Sequence, residues 1–139
     1  MKRPEWQIEF ESSEFLPCLP EDSQVNPGTY GFELAFWLSQ MLASRGIAVS
    51  YPQDDDWGWF IDTVDADGET TVTCLNVGEE GSGYVGKPLT WGVVVRPHRS
   101  SLRQVLRGEW PLAAFSRVTQ AIAAVLTEKG IAVREVKSP

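Results

Sequence analysis

Residues 42–49 read Leu-Ala-Ser-Arg-Gly-Ile-Ala-Val, and residues 126–133 read Leu-Thr-Glu-Lys-Gly-Ile-Ala-Val. In both segments a basic residue precedes a glycine, and the same apolar triplet follows it. The cation favours the negative C-terminal end of a helix, and glycine supplies the left-handed conformation that ends one. Each segment therefore predicts a helix that stops at glycine and continues as a strand. An internal duplication and independent selection of good loop chemistry explain the match equally well.

Apolar residues at helical spacing precede both glycines and set the extent of the two helices. The first helix is predicted over residues 29–45. The second is predicted over residues 111–129, with Pro111 in its first turn. A further short helix is expected over residues 100–107.

Alternation of polar and apolar residues predicts the strands. Trp6, Ile8 and Phe10 alternate with polar neighbours near the start of the chain. Further strands are predicted over residues 47–51, 57–62, 70–77, 89–96 and 131–134. The order β-α-β-β-β-β-α-β indicates one α+β domain over residues 1–139. We expect a mostly antiparallel sheet of about six strands with two helices on one face, an arrangement that resembles a ferredoxin-like fold expanded by a hairpin.

The composition excludes several classes of protein. At 139 residues, of which 42% are hydrophobic, the chain suits one globular domain with a real core. No apolar run approaches the roughly 20 residues of a membrane span, and the N-terminus lacks the apolar stretch of a secretory signal. Cys18 and Cys74 lie far apart, outside any Cys-x-x-Cys spacing, which predicts reduced thiols. We therefore expect a cytoplasmic protein that does not associate with a membrane.

The net charge of −7 conceals an asymmetry. Residues 1–80 hold 16 acidic and 3 basic residues, a charge of −13, whereas residues 81–139 hold 3 acidic and 9 basic residues, a charge of +6. Three alternatives follow: the halves bind two different partners, they neutralise each other within one fold, or they meet between two copies in a homodimer. Arg99, Arg103 and Arg107 would form one basic ridge on a helix, but the acidic total argues against a nucleic-acid partner.

Patterns that resemble cofactor or catalytic motifs are incomplete. Residues 81–88 match most of a phosphate-binding loop, but Pro88 replaces the hydroxyl residue that holds magnesium, and a strand follows instead of a helix. The aspartates around position 55 lack the spacing that wraps a hard cation. His98 is the only histidine, so a zinc site would lack partners, and neither cysteine has a histidine nearby in sequence. We expect no cofactor and no metal, and we assign no catalytic residue.

The most distinctive segment is Asp-Asp-Asp-Trp-Gly-Trp at residues 54–59. Tryptophans beside three carboxylates combine rigid apolar area with a charged rim, which is typical of a protein-binding hot spot. The candidate partner-binding residues are Asp54, Asp55, Asp56, Trp57 and Trp59. In the alternative interpretation, the tryptophans face the helices as core and the aspartates solvate a turn. We favour that interpretation for at least one of the two tryptophans.

Three segments resemble small uncharacterised bacterial domains. They are Gly-Phe-Glu-Leu-Ala-Phe-Trp-Leu at residues 31–38, Gly-Ile-Ala-Val at residues 46–49 and Asp-Asp-Trp-Gly-Trp at residues 55–59. Some proteins with similar segments are immunity proteins that neutralise toxins. The resemblance covers about residues 28–62 and brings no catalytic motif with it.

The leading hypothesis is a cytosolic protein-binding module whose acidic surface engages a basic protein partner, such as a toxin or nuclease. One alternative is a small-molecule-binding protein or an enzyme with a cleft near the loop at residues 78–86. The polar groups of that cleft would be Asp62, Thr73, Tyr84 and Arg96. The other alternative is a self-associating structural domain.

Overall fold

The computed structural model describes residues 3–15, 17, 30–56, 58–77, 89–99 and 102–136. These residues form one sheet from β1 (Trp6–Ser12), β2 (Ala48–Val49), β3 (Gln53–Asp55), β4 (Gly58–Asp65), β5 (Gly68–Val77), β6 (Leu89–His98) and β7 (Arg134–Glu135). The helices in the described residues are α1 (Phe32–Ser44), α2 (Leu102–Arg107) and α3 (Leu112–Glu128). The predicted α+β class is confirmed. Strand β3 was not predicted, and α2 is the expected short helix.

Helices α1 and α3 end as the repeated segments predict. Gly46 has a φ of 85° and Gly130 a φ of 82°, so both adopt the left-handed conformation. The same backbone hydrogen bond closes each unit at 3.0 Å, from the Ile47 amide to the Leu42 carbonyl and from the Ile131 amide to the Leu126 carbonyl. These bonds satisfy carbonyl groups that a helix end otherwise leaves unpaired.

The strands that follow the two glycines differ from the prediction. β2 has only two residues, because the next residue, Ser50, bonds Asp62 through both its amide and its hydroxyl, each at 2.9 Å. β7 begins at Arg134, near the end of the predicted strand. Ile131 and Val133 pack against the core before the chain reaches the edge of β1. Their burial, and not strand pairing, explains their apolar character.

The sheet has the order β2-β4-β5-β6-β1-β7, and β3 also pairs with β4. All these pairs are antiparallel, so β1 runs parallel to β2, and β6 runs parallel to β7. If the β4–β5 hairpin is left out, an antiparallel strand separates the two parallel strands of each β-α-β unit. That is the split arrangement of ferredoxin-like folds. The predicted expansion by one hairpin is therefore confirmed.

Helices α1 and α3 pack on the same face of the sheet, which we call the helix face. Its buried side chains are Ile8, Phe10, Ile61, Val72, Cys74, Trp91, Val93 and Val95. Burial of this apolar area against the two helices is the main stabilising contribution to the fold. Because side chains alternate along a strand, the intervening residues of the same strands lie on the opposite, second face.

Candidate functional site

Ion pairs link the acidic and basic halves of the sequence. All but one of those among the described residues join residues 1–80 to residues 81–139; they are Arg45–Glu128, Arg96–Glu5, Arg117–Asp65, Arg117–Asp67, Lys129–Glu14 and Arg134–Glu9. Most of these side chains are accessible to water, so each pair contributes little to stability. Their combined effect is on the surface charge. In the described part of the chain, the charges of the two halves therefore partly neutralise each other within one fold. The homodimer stays a prediction.

Arg117 is an example of this neutralisation. Its Nε and Nη2 donate to Oδ2 of Asp65 at 3.0 and 2.9 Å, and Nη2 also donates to Asp67. Burial raises the pKa of Asp65, but hydrogen bonds from the Asp67 amide, Arg117 and the Gly68 amide outweigh it and hold that pKa below its usual value. The contacts join α3 to the β4–β5 turn and balance the negative charge there.

In contrast to Asp65 and Asp67, Asp54 and Asp56 are not neutralised by any basic side chain of the described residues. Both are exposed, and neither belongs to any of the ion pairs formed within the described ranges. Asp54 and Asp55 lie in β3, with Asp54 opposite Trp59, where the sequence predicted a turn. Pairing with β4 satisfies the backbone groups on one side of β3 and explains the difference. We call residues 54–56 the acidic edge. Charges on an edge strand also prevent unwanted strand pairing, which is the alternative reason for their presence.

Trp59 is half-buried on the helix face. Its ring contacts Phe32 of α1 edge-on, with 5.2 Å between the ring centroids. Its indole Nε1 is buried and has no hydrogen-bond acceptor among the described residues. This position agrees with the interpretation that at least one tryptophan of the segment belongs to the core. Trp57 lies outside the described residues, and both tryptophans stay predictions as contacts for a partner.

Two glycines bring the start of α1 close to the acidic edge. A Cβ atom at Gly58 would lie 2.3 Å from the carbonyl oxygen of Cys74, and one at Gly31 would lie 2.4 Å from the same atom. The chain before α1 and the start of β4 therefore both contact the backbone of β5 at one point. Only glycine permits this approach without displacement of the backbone. The result is a close packing of α1 against β4 and β5.

A shallow groove lies between α1 and the short strand β2, with a volume of about 300 Å³. It is lined by Phe36, Ser39, Gln40, Ala43, Val49, Ser50 and Tyr51. Tyr51 is 83% exposed and Phe36 is 38% exposed. Neither residue was predicted as a site residue from the sequence. Tyr51 next to Pro52 and an acidic run was the available signal, since an aromatic residue in a loop is rarely needed for the core.

A line of hydrogen-bonded side chains crosses the second face of the sheet. Thr71 donates its hydroxyl hydrogen to Oδ1 of Asp62 at 2.7 Å and also bonds Nε2 of His98. Because the single hydroxyl hydrogen goes to Asp62, the imidazole must be the donor in the second bond. Arg96 lies opposite Thr71 in the next strand and pairs with Glu5 at 3.1 Å. This arrangement can bind polar groups, but Thr71 is not set up as a nucleophile activated by His98.

The alternative cleft is only partly described. Thr73 lies on the second face with Asp62 and Arg96, as that hypothesis requires, whereas Tyr84 and residues 78–86 lie outside the described residues. Cys74 is fully buried on the helix face, where burial strongly raises the pKa of its thiol. The sheet therefore separates Cys74 from His98, and these two residues do not form a nucleophile and base.

The prediction that Arg99, Arg103 and Arg107 form one basic ridge on a helix is wrong. Arg99 precedes α2, and its guanidinium carbon lies 3.8 Å from the ring centroid of Trp110. The guanidinium also donates to the Gly108 carbonyl at 3.1 Å, so Arg99 connects the end of β6 to the α2–α3 turn. Only Arg103 and Arg107 share the helix, because α2 starts too late to include Arg99.

Among the described residues, no three His, Cys, Asp or Glu side chains lie close enough together to hold a metal ion. The phosphate-loop-like residues 81–88 and Cys18 lie outside those residues. None of the helices in the described ranges is both long enough and apolar enough to cross a bilayer. Comparisons of the chain with protein-family models, with curated proteins and with solved structures found no match.

Proposed function

We propose that this chain is a protein-binding domain whose acidic edge engages a basic protein partner. The observation that carries the proposal is the charge left after folding. The described basic residues pair mainly with acids elsewhere in the fold, while Asp54 and Asp56 form no ion pair with any described residue. Neighbouring like charges on an exposed edge create a local negative potential, which attracts a cationic surface and accelerates its encounter.

The position of β3 favours this role. β3 pairs with β4, and no other strand of the described residues pairs with it. A partner can therefore reach the acidic edge without rearrangement of the core. The exposed backbone of an edge strand also offers hydrogen bonds to an extended segment of a partner.

A basic toxin or nuclease is the class of partner that fits this charge. It is also the class that the resemblance to bacterial immunity proteins implies. The proposal includes a cytosolic location.

The test compares two double variants that change the net charge equally. Asp54→Asn with Asp56→Asn removes the unpaired charges of the acidic edge. The control, Glu11→Gln with Glu69→Gln, removes two exposed carboxylates on the second face, and neither takes part in an ion pair within the described chain. Both variants keep side-chain size, so a difference between them reports position and not bulk.

The partner is first isolated from lysate of the native host on the immobilised domain and identified by mass spectrometry. The association rate constant of the purified partner is then measured against ionic strength. The edge variant should associate roughly threefold to tenfold more slowly at low salt, with a flatter salt dependence. The control variant should change little. Equal slowing in both variants would assign the attraction to net charge alone, and an unchanged edge variant would refute the proposal.

The second face supports a second candidate, a small-molecule site. Its specific observation is the alignment of Asp62, Thr71 and Arg96 across three neighbouring strands. Such convergent polar groups can orient a polar ligand. A thermal-shift screen of metabolites and metals tests it, and a hit must be lost in Asp62→Asn to support this candidate. A screen without hits would count against it.

A further inference from the structure

The groove between α1 and β2 ends at Tyr51, three residues before Asp54, and its two exposed aromatic residues differ in how they are held. Phe36 stacks on Phe32 with 5.9 Å between the ring centroids, and Phe32 in turn contacts Trp59. Tyr51 precedes Pro52, which restricts its backbone to extended conformations. Single exposed apolar residues need no explanation, but two aromatic rings that line one groove form a shared apolar surface, of which the stacked Phe36 ring is preorganised.

Asp54 lies on the same side of the sheet as this groove. Residues directly opposite each other in an antiparallel pair project to the same face, and Asp54 lies opposite Trp59. The Trp59 ring contacts Phe32 on α1, which places both side chains on the helix face. A carboxylate without an ion pair in the described chain, near the start of α1, thus lies on the same face as an aromatic groove that follows the rest of that helix.

We propose that this groove is the anchor site of the protein partner and that it receives one large apolar side chain flanked by Lys or Arg. The inference rests on the proposed function and adds the chemistry of the recognised segment. The groove volume of about 300 Å³ is near the lower limit for ligand pockets. It therefore suits a side chain better than a whole ligand. Central aromatic anchors with charged neighbours carry most of the energy in protein interfaces.

The nearby charges favour this groove over another exposed apolar surface, that of α2, as the binding site for a cationic segment. Leu102 and Leu106 of α2 are 73% and 77% exposed, which makes α2 the more apolar surface. However, Arg103 and Arg107 flank them on the same helix. A cationic segment is repelled there and attracted to the acidic edge. Leu106 therefore supplies a control site of equal exposure and opposite charge.

The test uses nuclear magnetic resonance of the isotope-labelled domain with three synthetic peptides of equal length. The first is Lys-Lys-Phe-Lys-Lys, the second replaces Phe with Ala, and the third replaces every Lys with Glu. The first peptide should shift the amide signals of the groove and of the acidic edge at low-millimolar concentration. It should bind about fivefold to tenfold more tightly than the Ala peptide, and the Glu peptide should not bind.

Three variants of the domain complete the test. Tyr51→Ala should weaken the Phe peptide by about fivefold to tenfold and leave the Ala peptide unchanged. Because Tyr51 is so exposed, this variant should fold normally. Phe36→Ala should act in the same way, and Leu106→Ala should have no effect.

The outcomes separate the two proposals. If Asp54→Asn with Asp56→Asn weakens binding but Tyr51→Ala does not, the anchor is overturned and the acidic edge stands. If neither variant matters, both are overturned. Loss of binding in Leu106→Ala, binding of the Glu peptide, or no localised shift would each overturn the anchor site.

Discussion

Replacement of Gly46 or Gly130 by alanine measures how much the left-handed backbone conformation at each helix end contributes to stability. Their φ values of 85° and 82° lie where a side chain is strained, and an added Cβ atom would meet nothing within 4 Å at either position. Each variant should therefore lose stability through backbone conformation and not through a steric clash. The left-handed conformation costs alanine roughly 1–2 kcal/mol, and the reduced entropy of the unfolded chain offsets roughly 0.4–1 kcal/mol of this. We expect a net loss of about 1 kcal/mol for each variant.

Urea unfolding followed by far-ultraviolet circular dichroism measures this loss. For a domain of this size the slope is roughly 1–3 kcal/mol per molar urea, so each midpoint should fall by about 0.3–1 M at unchanged slope. Gly46→Asn is the matched control, since asparagine tolerates the left-handed conformation better than alanine does. It should lose clearly less than Gly46→Ala.

The two alanine variants should lose equal stability, because the two turns share the same φ and the same closing hydrogen bond. Clearly unequal losses, or equal tolerance of alanine and asparagine, would refute the conformational explanation. The double variant should be close to additive. A small deviation is expected, because Arg45 and Glu128 join the two helix ends at 2.6 Å.

Acidification should weaken the fold partly through Asp65. Its pKa lies below the usual value, so its contribution is present above the ordinary Asp pKa of roughly 3.9 and is lost as the pH falls through the lower folded value. The urea midpoint should therefore fall less below about pH 4 in Asp65→Asn than in the wild type, and parallel curves would contradict this. Light scattering should report a monomer at low and high salt, because the ion pairs between the two halves lie within one chain. A dimer that dissociates with salt would instead support the homodimer.

Features that depend on neighbouring residues were predictable from the sequence. The glycine stops, the alternation of Trp6, Ile8 and Phe10, and the position of Pro111 all reflect short-range chemistry. Such patterns predicted the element order except for β3, and the placement of both helices on one face. They failed for short segments whose residue types suit two different structures. Ile131 and Val133 look like strand residues, but they pack against the core, and Gln53–Asp55 looks like a turn but pairs with β4.

The candidate site also combines features that were predictable from the sequence with features that were not. The sequence alone singled out the three aspartates and their neighbouring tryptophans, because that composition is unusual wherever it lies. It could not show which charges remain unpaired, since Arg117 meets Asp65 and Arg134 meets Glu9 across long separations in the chain. It also could not show that Tyr51 and Phe36 line one groove.

The sequence by itself determined that α1 and α3 end at Gly46 and Gly130, because a left-handed turn and a helix end are set by adjacent residues. Only the tertiary structure decided that β3 lies at the edge of the sheet, that Trp59 faces α1, and that Asp54 and Asp56 form no ion pair within the described chain. These features come from strand pairing and from contacts between distant segments. Their geometry depends on how the whole chain packs, which no local pattern encodes.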